Sequence, residues 1–352
     1  MYNLKVITDE CQNLFDKVEV KQLQNKNILV TGANGLIGGF LADFFNFLNT
    51  RHDYNINLYL TSYSQPSKLS RIPHLVGKSN ITYFSWDCSQ KVDHNKLPDK
   101  IDYVFFCSGY GQPSKFLENN IKTMLINIVG LESILDYINS HGGGSLLFLS
   151  TSEIYGNPPD EMLPTPEEYG GLYELDSNRA AYKESKKAGE VICKEYNKSE
   201  HVNAKIARIA LTYGPGALLT DNRVLQEFIF KARNDGQINM LDEGSSIRNY
   251  LYITDSAEIL LNIVLNGKEI VYNVGGDREP VSIYQLASII ADEFNVNVFR
   301  GATKNALNKS APKNVGLSMK KYRTEFNKNQ NINLNSGIQK TIEWFNFKKE
   351  TK

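Results

Sequence analysis

The sequence predicts an α/β protein built on a doubly wound parallel sheet, with helices covering both faces. Three observations predict this fold class. At residues 27–39 a short apolar strand pattern ends in a glycine-rich turn and leads into a helical pattern, and strand and helix patterns then alternate up to residue 151. Strands separated by helices pair in parallel, because each crossover returns the chain to the same edge of the sheet. Polar motifs follow the predicted strand ends, where such sheets bind ligands.

The glycine-rich turn has the spacing of a dinucleotide-binding loop. Residues 28–30 form an apolar strand pattern, and Gly32, Gly35 and Gly38 follow it. Backbone must approach a pyrophosphate closely here, and a Cβ would obstruct that approach. The strand before the loop and the helix after it indicate a Rossmann-type domain. The predicted cofactor contacts from this loop are Gly32, Asn34, Gly35, Leu36, Ile37 and Gly38.

The next three strand patterns predict the rest of the cofactor site. The second, residues 55–63, lacks the acidic residue that binds the ribose diol in NAD-selective sites. Lys68 and Arg71 follow it and could meet a 2′-phosphate, so this strand leaves the choice between NAD and NADP open. The expected cofactor is NAD, and NADP is not excluded. The third strand ends at Asp87, where a carboxylate can meet the adenine edge, and the fourth, residues 102–109, ends in small residues. The predicted contacts here are Asp87, Cys88, Ser108 and Gly109.

The alternation continues with a helix and a strand and then becomes less regular. The further patterns predict helices at 117–139, 222–234, 255–265, 282–294 with Ser282 as N-cap, and 338–345, and strands at 145–150, 204–213, 238–241 and 271–276. We therefore expect a smaller substrate-binding domain interleaved with the sheet domain. The predicted units are an N-terminal extension packed on the outside (1–26), a Rossmann domain (27–210, with returns near 250–276) and a substrate-binding domain (211–249 and 277–350).

Composition excludes several classes of function. The 352 residues carry 39 basic and 39 acidic side chains, a balance that argues against a nucleic-acid or membrane-surface role. No apolar run approaches the ~20 residues of a membrane span, and the N-terminus has no signal-peptide pattern, so we expect a cytoplasmic protein. The four cysteines form no CxxC pair and the five histidines have no metal-ligand spacing, so we expect reduced thiols and no metal.

One tyrosine has the spacing of a general base. Tyr182 is the only one of the 19 tyrosines with a lysine four residues later, Lys186. In a helix this spacing places both side chains on one face. An ammonium beside a phenol favours the phenolate, so we expect Lys186 to lower the pKa of Tyr182 towards the range of a general base.

The sequence resembles the extended short-chain dehydrogenase/reductase superfamily, whose members act on nucleotide sugars. The resemblance covers nearly the whole chain beyond about residue 26 and rests on TGANGLIGG, STSEIYG, YKESK, RIALTYGPG and GSSIRNYLYITD. The pattern is most similar to that of the UDP-glucuronate decarboxylases. Their Thr-Ser-Glu run corresponds to Thr151, Ser152 and Glu153. Their Arg-x-x-Tyr-x-x-x-Lys run corresponds to Arg179, Tyr182 and Lys186.

The resemblance implies a catalytic role for each residue of these runs. Tyr182 would take the proton from the sugar C4 hydroxyl, Thr151 would hydrogen-bond the same oxygen, and the C4 hydride would pass to the nicotinamide. Lys186 would also bind the nicotinamide ribose. With a carboxylate at C6 the 4-keto sugar is a β-keto acid that loses carbon dioxide. The residues implied to position water or the carboxylate and to guide protonation at C5 are Ser152, Glu153 and Arg248.

Other reactions stay open at this point. Phe116 stands where the decarboxylases usually carry a tyrosine and Leu211 where they usually carry an asparagine, so the sugar could differ. A Thr-Ser-Glu run also occurs in GDP-mannose 4,6-dehydratases, and 4-epimerisation needs no equivalent of Glu153. A catalytically silent sensor or scaffold that binds a dinucleotide is a further alternative, against which the complete catalytic set argues.

The remaining motif residues predict contacts with the nucleotide sugar and a dimer. Arg248 could equally bind the diphosphate, Arg223 the nucleotide or a helix start, and Arg179 could order the loop before Tyr182. The predicted substrate contacts are Pro113, Lys122, Arg179, Leu211, Arg223 and Arg248. Related enzymes pair through two helices each, so we expect a homodimer that uses residues 117–139 and 179–196.

Overall fold

The computed structural model describes residues 3–172, 175–276, 280–302, 312–328 and 332–345. The strands are β1 (Asn27–Thr31), β2 (Asn57–Ser62), β3 (Ile81–Ser85), β4 (Tyr103–Phe106), β5 (Gly144–Thr151), β6 (Val202–Ile209), β7 (Leu211–Tyr213), β8 (Gln237–Asn239), β9 (Ile247–Arg248), β10 (Tyr250–Tyr252), β11 (Val271–Val274), β12 (Val281–Ser282) and β13 (Asn297–Phe299). The helices are α1 (Leu4–Phe15), α2 (Leu36–His52), α3 (Pro113–Glu118), α4 (Asn120–Leu125), α5 (Leu131–Ser140), α6 (Ala180–Tyr196), α7 (Val224–Asn234), α8 (Ile253–Asn266), α9 (Ile283–Phe294), α10 (Lys320–Phe326) and α11 (Leu334–Trp344).

Seven parallel strands form the central sheet, which confirms the predicted fold class. Their order is β11-β6-β5-β4-β1-β2-β3, and the register pairs Ile28 with Leu58 on one side of β1 and with Tyr103 on the other. The inner strands are continuous apolar runs because helices cover both faces of the sheet. Chain order reverses between β1 and β4, so the crevice that binds ligands in doubly wound sheets opens at the carboxyl ends of these strands.

After β6 the chain leaves the central sheet earlier than predicted. The strand expected at 204–213 is two strands: β6 ends at Ile209, and β7 pairs with β10 in a separate two-stranded sheet. Two further small pairs join β12 to β9 and β13 to β8. Helix α9 begins with the predicted Ser282 cap, whose side chain accepts a hydrogen bond from the backbone of Gln285. Within the predicted substrate-binding domain, residues 277–279, 303–311, 329–331 and 346–350 lie outside the described residues.

The N-terminal extension packs on the core through one face of its helix. Helix α1 packs on α2 and α8 through Ile7, Cys11 and Leu14, each at most 3% exposed. Its buried Glu10 accepts hydrogen bonds from Thr254 of α8 and Lys340 of α11, both at 2.6 Å. Both partners of Glu10 are distant from it in sequence.

Two further features of the structure concern membrane-spanning helices and disulfide bonds. Among the helices of the described residues, none is long and apolar enough to span a membrane. All four cysteines are free thiols.

Candidate active site

The glycine loop forms a cradle that a Cβ would fill. Gly32 has φ +64°, and a Cβ there would lie 2.6 Å from the backbone oxygen of Cys107. A Cβ on Gly38 would lie 2.6 Å from the Gly32 oxygen, and one on Gly35 would lie 3.0 Å from it. Leu36 and Ile37 open α2 directly behind this loop. The N-terminus of α2 therefore faces the crevice with its backbone N–H groups, the arrangement that binds a pyrophosphate.

Asn34 holds the cradle against the chain that follows β2. Its side-chain oxygen accepts hydrogen bonds from the backbone N–H groups of Ser70 and Arg71, both at 3.0 Å. The buried Arg71 guanidinium donates to the backbone oxygens of Gly216, at 2.6 Å, and Asn34, at 2.9 Å. Arg71 was considered from sequence as a ligand for a 2′-phosphate, and the structure gives its guanidinium these backbone partners instead.

The ends of β3 and β4 supply a second polar group. The Lys122 ammonium lies 2.7 Å from the Asp87 carboxylate and 4.0 Å from the centre of the Tyr63 ring. Burial opposes ionisation of Asp87, but hydrogen bonds from Lys122 and Ser89 lower the pKa of this carboxyl. Lys122, predicted from sequence to contact the substrate, is thus paired with Asp87, predicted to contact the cofactor, and both roles stay predictions. The neighbouring Cys88 thiol is 3.0 Å from the Ser108 hydroxyl, and Gly109 follows with φ +152°.

Tyr182 and Lys186 lie on one face of α6, against the end of β5. The Thr151 side chain lies beside the Tyr182 phenol and lowers its pKa. The Lys186 ammonium donates to the backbone oxygen of Leu149 at 2.6 Å and lies 4.7 Å from the centre of the Phe148 ring. The structure therefore brings together Thr151, Tyr182 and Lys186, as their positions in the sequence predicted.

The electrostatics of Tyr182 differ from the expectation. Burial raises the pKa of its phenol, and the nearby Glu153 carboxylate raises it further, against smaller opposing effects of Thr151 and Arg179. The Lys186 ammonium donates to the Leu149 backbone oxygen. Burial lowers the pKa of Lys186 to about 8. The desolvation of the phenol depends on tertiary packing, so the helical spacing of Tyr182 and Lys186 could not predict it.

Phe116 packs directly on the phenol. The two rings are stacked with centroids 4.4 Å apart and planes 4° from parallel, and Phe116 is 2% exposed. The Arg179 guanidinium carbon lies 5.3 Å from the centre of the Phe116 ring. Sequence comparison noted Phe116 only as a departure from the decarboxylase pattern. No local signal predicted this contact, because it joins residues from α3 and α6.

Glu153 and two arginines form a charged cluster beside Tyr182. Nη1 of Arg179 lies 2.7 and 2.8 Å from the two carboxylate oxygens of Glu153. Arg179 is 4% exposed, and its Nε is buried without a hydrogen-bond partner. Burial lowers the pKa of Arg248, which also feels the charges of Glu153 and Arg179. Ser152, buried next to Glu153, begins the short 3₁₀ turn 152–155.

The other predicted substrate contacts lie outside the cluster around Glu153. Arg223 is anchored on Asp221 through its Nε and Nη2, at distances of 2.6 to 3.1 Å. Burial raises the pKa of the Tyr250 phenol, and the positive charges of Arg248 and Arg223 oppose this rise. Leu211 is partly buried at the start of β7, and Pro113 opens α3. Among the described residues, no group of three or more histidine, cysteine or acidic side chains is arranged to hold a metal ion.

The doubly wound sheet, the glycine cradle and the Thr-Tyr-Lys set define a Rossmann-type, dinucleotide-binding enzyme. The chain belongs to the NAD dependent epimerase/dehydratase family, whose sequence profile matches residues 28–275. The family comprises NAD-dependent decarboxylases, epimerases and dehydratases of nucleotide sugars, and the cofactor is NAD. The cradle around Gly32 fits that cofactor, since only backbone without a Cβ leaves room for a pyrophosphate there.

Relatives and solved structures agree with this assignment. The chain is 29% identical over 272 residues to UDP-glucuronic acid decarboxylase 1 of Xenopus tropicalis, a match that covers 77% of this chain and 61% of that protein. The fold is similar to epimerase Mth375 of Methanothermobacter thermautotrophicus, with a TM-score of 0.77, 19% identity and coverage of 98% and 96% of the two chains. It is also similar to a UDP-glucuronic acid 4-epimerase of Bacillus cereus, solved with UDP-glucuronic acid and NAD, with a TM-score of 0.74, 21% identity and coverage of 91% and 99%.

Proposed function

We propose that the protein is a UDP-glucuronate decarboxylase that works through a transient 4-keto sugar. The observation that carries this proposal is the cluster of Glu153 with Arg179 and Arg248 beside Tyr182. Arg179 is ion-paired with Glu153. Among the described residues Arg248 has no ion-pair partner, and its Nη1 donates to the backbone oxygens of Ile247 and Lys313. A sugar with a C6 carboxylate would compensate the positive charge of the partly buried Arg248, whereas a neutral hexose would not. The sequence is 29% and 25% identical to two UDP-glucuronic acid decarboxylases, which supports the same substrate.

The first half of the reaction uses the end of β5 and the start of α6. Thr151 lies beside the Tyr182 phenol at the end of β5, so both hydroxyls can contact the C4 oxygen of a bound sugar. Tyr182 takes the hydroxyl proton and Thr151 orients the oxygen. Bound at the glycine cradle, NAD would supply the acceptor for the C4 hydride and would return it to the same carbon, so that the cycle is redox neutral.

The second half uses the charged cluster. In the 4-keto sugar, the bond between C5 and the carboxylate breaks, carbon dioxide leaves, and its bonding electrons form an enolate over C4 and C5. Arg179 and Arg248 hold the carboxylate until it leaves, and Tyr182 donates its proton towards the enolate oxygen. A water guided by Glu153 and Ser152 then delivers a solvent proton to C5, in the place that the carboxylate left, and the enol proton returns to Tyr182. The C4 keto group is thus restored before the C4 hydride returns.

The proposal is tested with purified protein, UDP-glucuronate and NAD, followed by mass spectrometry of the nucleotide sugars. We expect the substrate to lose the mass of carbon dioxide, and Glu153→Ala to slow this loss by about 10²-fold, because it removes the group that guides C5 protonation. Glu161→Ala, which changes an exposed carboxylate in the same loop, is the matched control and should keep wild-type turnover. Unchanged mass with a new chromatographic peak would assign epimerisation instead, and loss of the mass of water from a hexose would assign dehydration.

We also propose that the protein is a homodimer, with a second copy covering the exposed side of α4 and α6. These helices pack on each other, and each leaves a large aliphatic side chain exposed: Ile121 at 71% and Val191 at 55%. A pair of identical helices from a second chain would bury both residues in a self-complementary interface.

Charge at this surface is expected to separate the copies. Ile121→Glu combined with Val191→Glu should convert the dimer to a monomer in sedimentation velocity, because the interface would bury two unpaired carboxylates in each copy. Phe230→Glu, at a 44% exposed site on α7, should leave the dimer intact. A monomeric wild-type protein would refute the proposed interface.

A further inference from the structure

Three residues of α6 are anchored on three consecutive residues of β5. Tyr182, Lys186 and Glu190 follow one another at four-residue spacing and share one helix face. Tyr182 lies beside the Thr151 side chain, and the Lys186 ammonium donates to the Leu149 backbone oxygen. The third anchor is the hydrogen bond of 2.6 Å from the hydroxyl of Ser150 to the Glu190 carboxylate.

The close approach of α6 to the sheet depends on a glycine beside Glu190. A Cβ on Gly189 would lie 2.7 Å from a ring carbon of Phe148 and 3.1 Å from the backbone oxygen of Asn127. Because the backbone of α6 lies this close to β5, a short side chain of the strand such as Ser150 can reach a side chain of the helix. The position of Glu190 is therefore tied to that of the two residues on the same face.

Glu190 is paired with Arg208 in a buried network. Both side chains are less than 10% exposed, and the guanidinium lies 3.0 and 2.7 Å from the two carboxylate oxygens. Arg208 also donates to the Tyr155 hydroxyl at 2.9 Å and to the backbone oxygen of Glu167 at 2.7 Å. Tyr155 in turn donates to Asn273 at 2.7 Å. With its hydrogen-bonding groups occupied in this way, the pair can keep a carboxylate charged inside the protein.

That carboxylate is the source of negative charge near Lys186. The ionisable groups that act on the Lys186 ammonium are Cys107, Cys193 and Glu190. Burial raises the pKa of the Cys107 thiol to about 12 and raises that of Cys193 as well, so both thiols are neutral at physiological pH. Among the described residues, Glu190 is then the charged group that opposes the loss of the Lys186 proton.

We propose that Glu190, held by Arg208 and Ser150, is a positioning residue that fixes the catalytic face of α6, with Tyr182 and Lys186, on β5. This inference rests on the proposed function and on the role that the sequence resemblance implies for Lys186, the binding of the nicotinamide ribose. It gives Glu190, the third residue of the Tyr-x-x-x-Lys-x-x-x-Glu run, a task beside those of Tyr182 and Lys186.

The test is the pH dependence of NAD affinity, measured by isothermal titration calorimetry on nucleotide-free protein without sugar. Burial lowers the pKa of Lys186 to about 8, so wild-type affinity should fall on the alkaline side near that pH as the ammonium becomes a neutral amine. Removing the negative charge of Glu190 lowers the Lys186 pKa further. In Glu190→Gln the fall should therefore begin about one pH unit lower, with near wild-type affinity at acidic pH. A merely structural defect would weaken binding at every pH.

Two variants keep the result interpretable. Glu190→Gln leaves Arg208 buried without its partner, so Glu190→Gln with Arg208→Gln removes both charges and should fold stably. In this double variant the fall should again begin below the wild-type pH, but by less than in Glu190→Gln, because the lost positive charge of Arg208 offsets part of the effect. Glu184→Gln, which removes the partner of Lys187 at 3.3 Å on the same helix, should keep the wild-type profile. A folded Glu190→Gln protein with the wild-type midpoint would overturn the proposal, and if that variant does not fold, a wild-type midpoint in the folded double variant would do the same. Because no sugar is present, this result is independent of whether the wild type decarboxylates UDP-glucuronate.

Discussion

Tyr182→Phe is expected to reduce turnover by about 10³-fold while the fold and NAD affinity stay close to wild type. The change removes the hydroxyl that exchanges the C4 proton. It keeps the ring, which can still stack on Phe116 at 4.4 Å. The lost polar contact with Thr151 should cost at most about 1 kcal/mol of stability, too little to unfold the protein.

The measurement is the steady-state rate on the nucleotide sugar that the wild type converts, with thermal unfolding recorded in parallel. Tyr196→Phe is the matched control, because Tyr196 lies on the same helix and its hydroxyl bonds Glu132 at 3.4 Å, away from the crevice. Its rate should equal that of the wild type. If Tyr182→Phe retained more than about a tenth of the activity, Tyr182 would not be the general base.

Gly32→Ala is expected to weaken NAD binding by at least about 100-fold and to destabilise the protein by about 2 to 4 kcal/mol. The new Cβ would lie 2.6 Å from the Cys107 oxygen, and both atoms belong to the backbone framework, so a side-chain rotation cannot relieve the clash. The φ of +64° adds strain for any residue with a Cβ. Relief requires β1 and β4 to separate at the point where the pyrophosphate binds.

Calorimetric titration with NAD and thermal unfolding without it measure the two effects separately. Gly111→Ala is the matched control: it lies in the loop after β4, and a Cβ there has no atom within 4 Å. It should bind NAD as the wild type does. Normal NAD affinity in Gly32→Ala would show that the pyrophosphate does not use this loop.

Local patterns were sufficient for most elements of the sheet. The glycine loop, the strands before and after it and the capped helix α9 were predictable because their signals lie within a few neighbouring residues. Where the pattern was locally uniform, the prediction failed. The run 204–213 reads as one strand, but the chain leaves the central sheet after Ile209, and β7 pairs instead with β10. Pairing of β7 with residues about forty positions away is a tertiary property that no local window contains.

In the candidate site, too, part of the arrangement was predictable from the sequence and part was not. Helical spacing placed Tyr182 and Lys186 on one face, and strand-to-loop order placed Thr151 near them. The pKa directions could not be derived in this way, since desolvation and the Glu153 charge depend on what packs around the phenol. Arg179 was assigned to the substrate from sequence, and only the folded chain shows its guanidinium on Glu153.

The sequence by itself determined the fold class, the dinucleotide loop and the order of the catalytic residues, because each follows from spacing along one strand, loop or helix. Tertiary structure alone decided which groups face one another: Phe116 on Tyr182, Arg179 on Glu153 and Glu190 on Arg208. These partners come from separate elements and meet only when the sheet is assembled. Their charges and burial, and hence the protonation of the site, are set by that assembly.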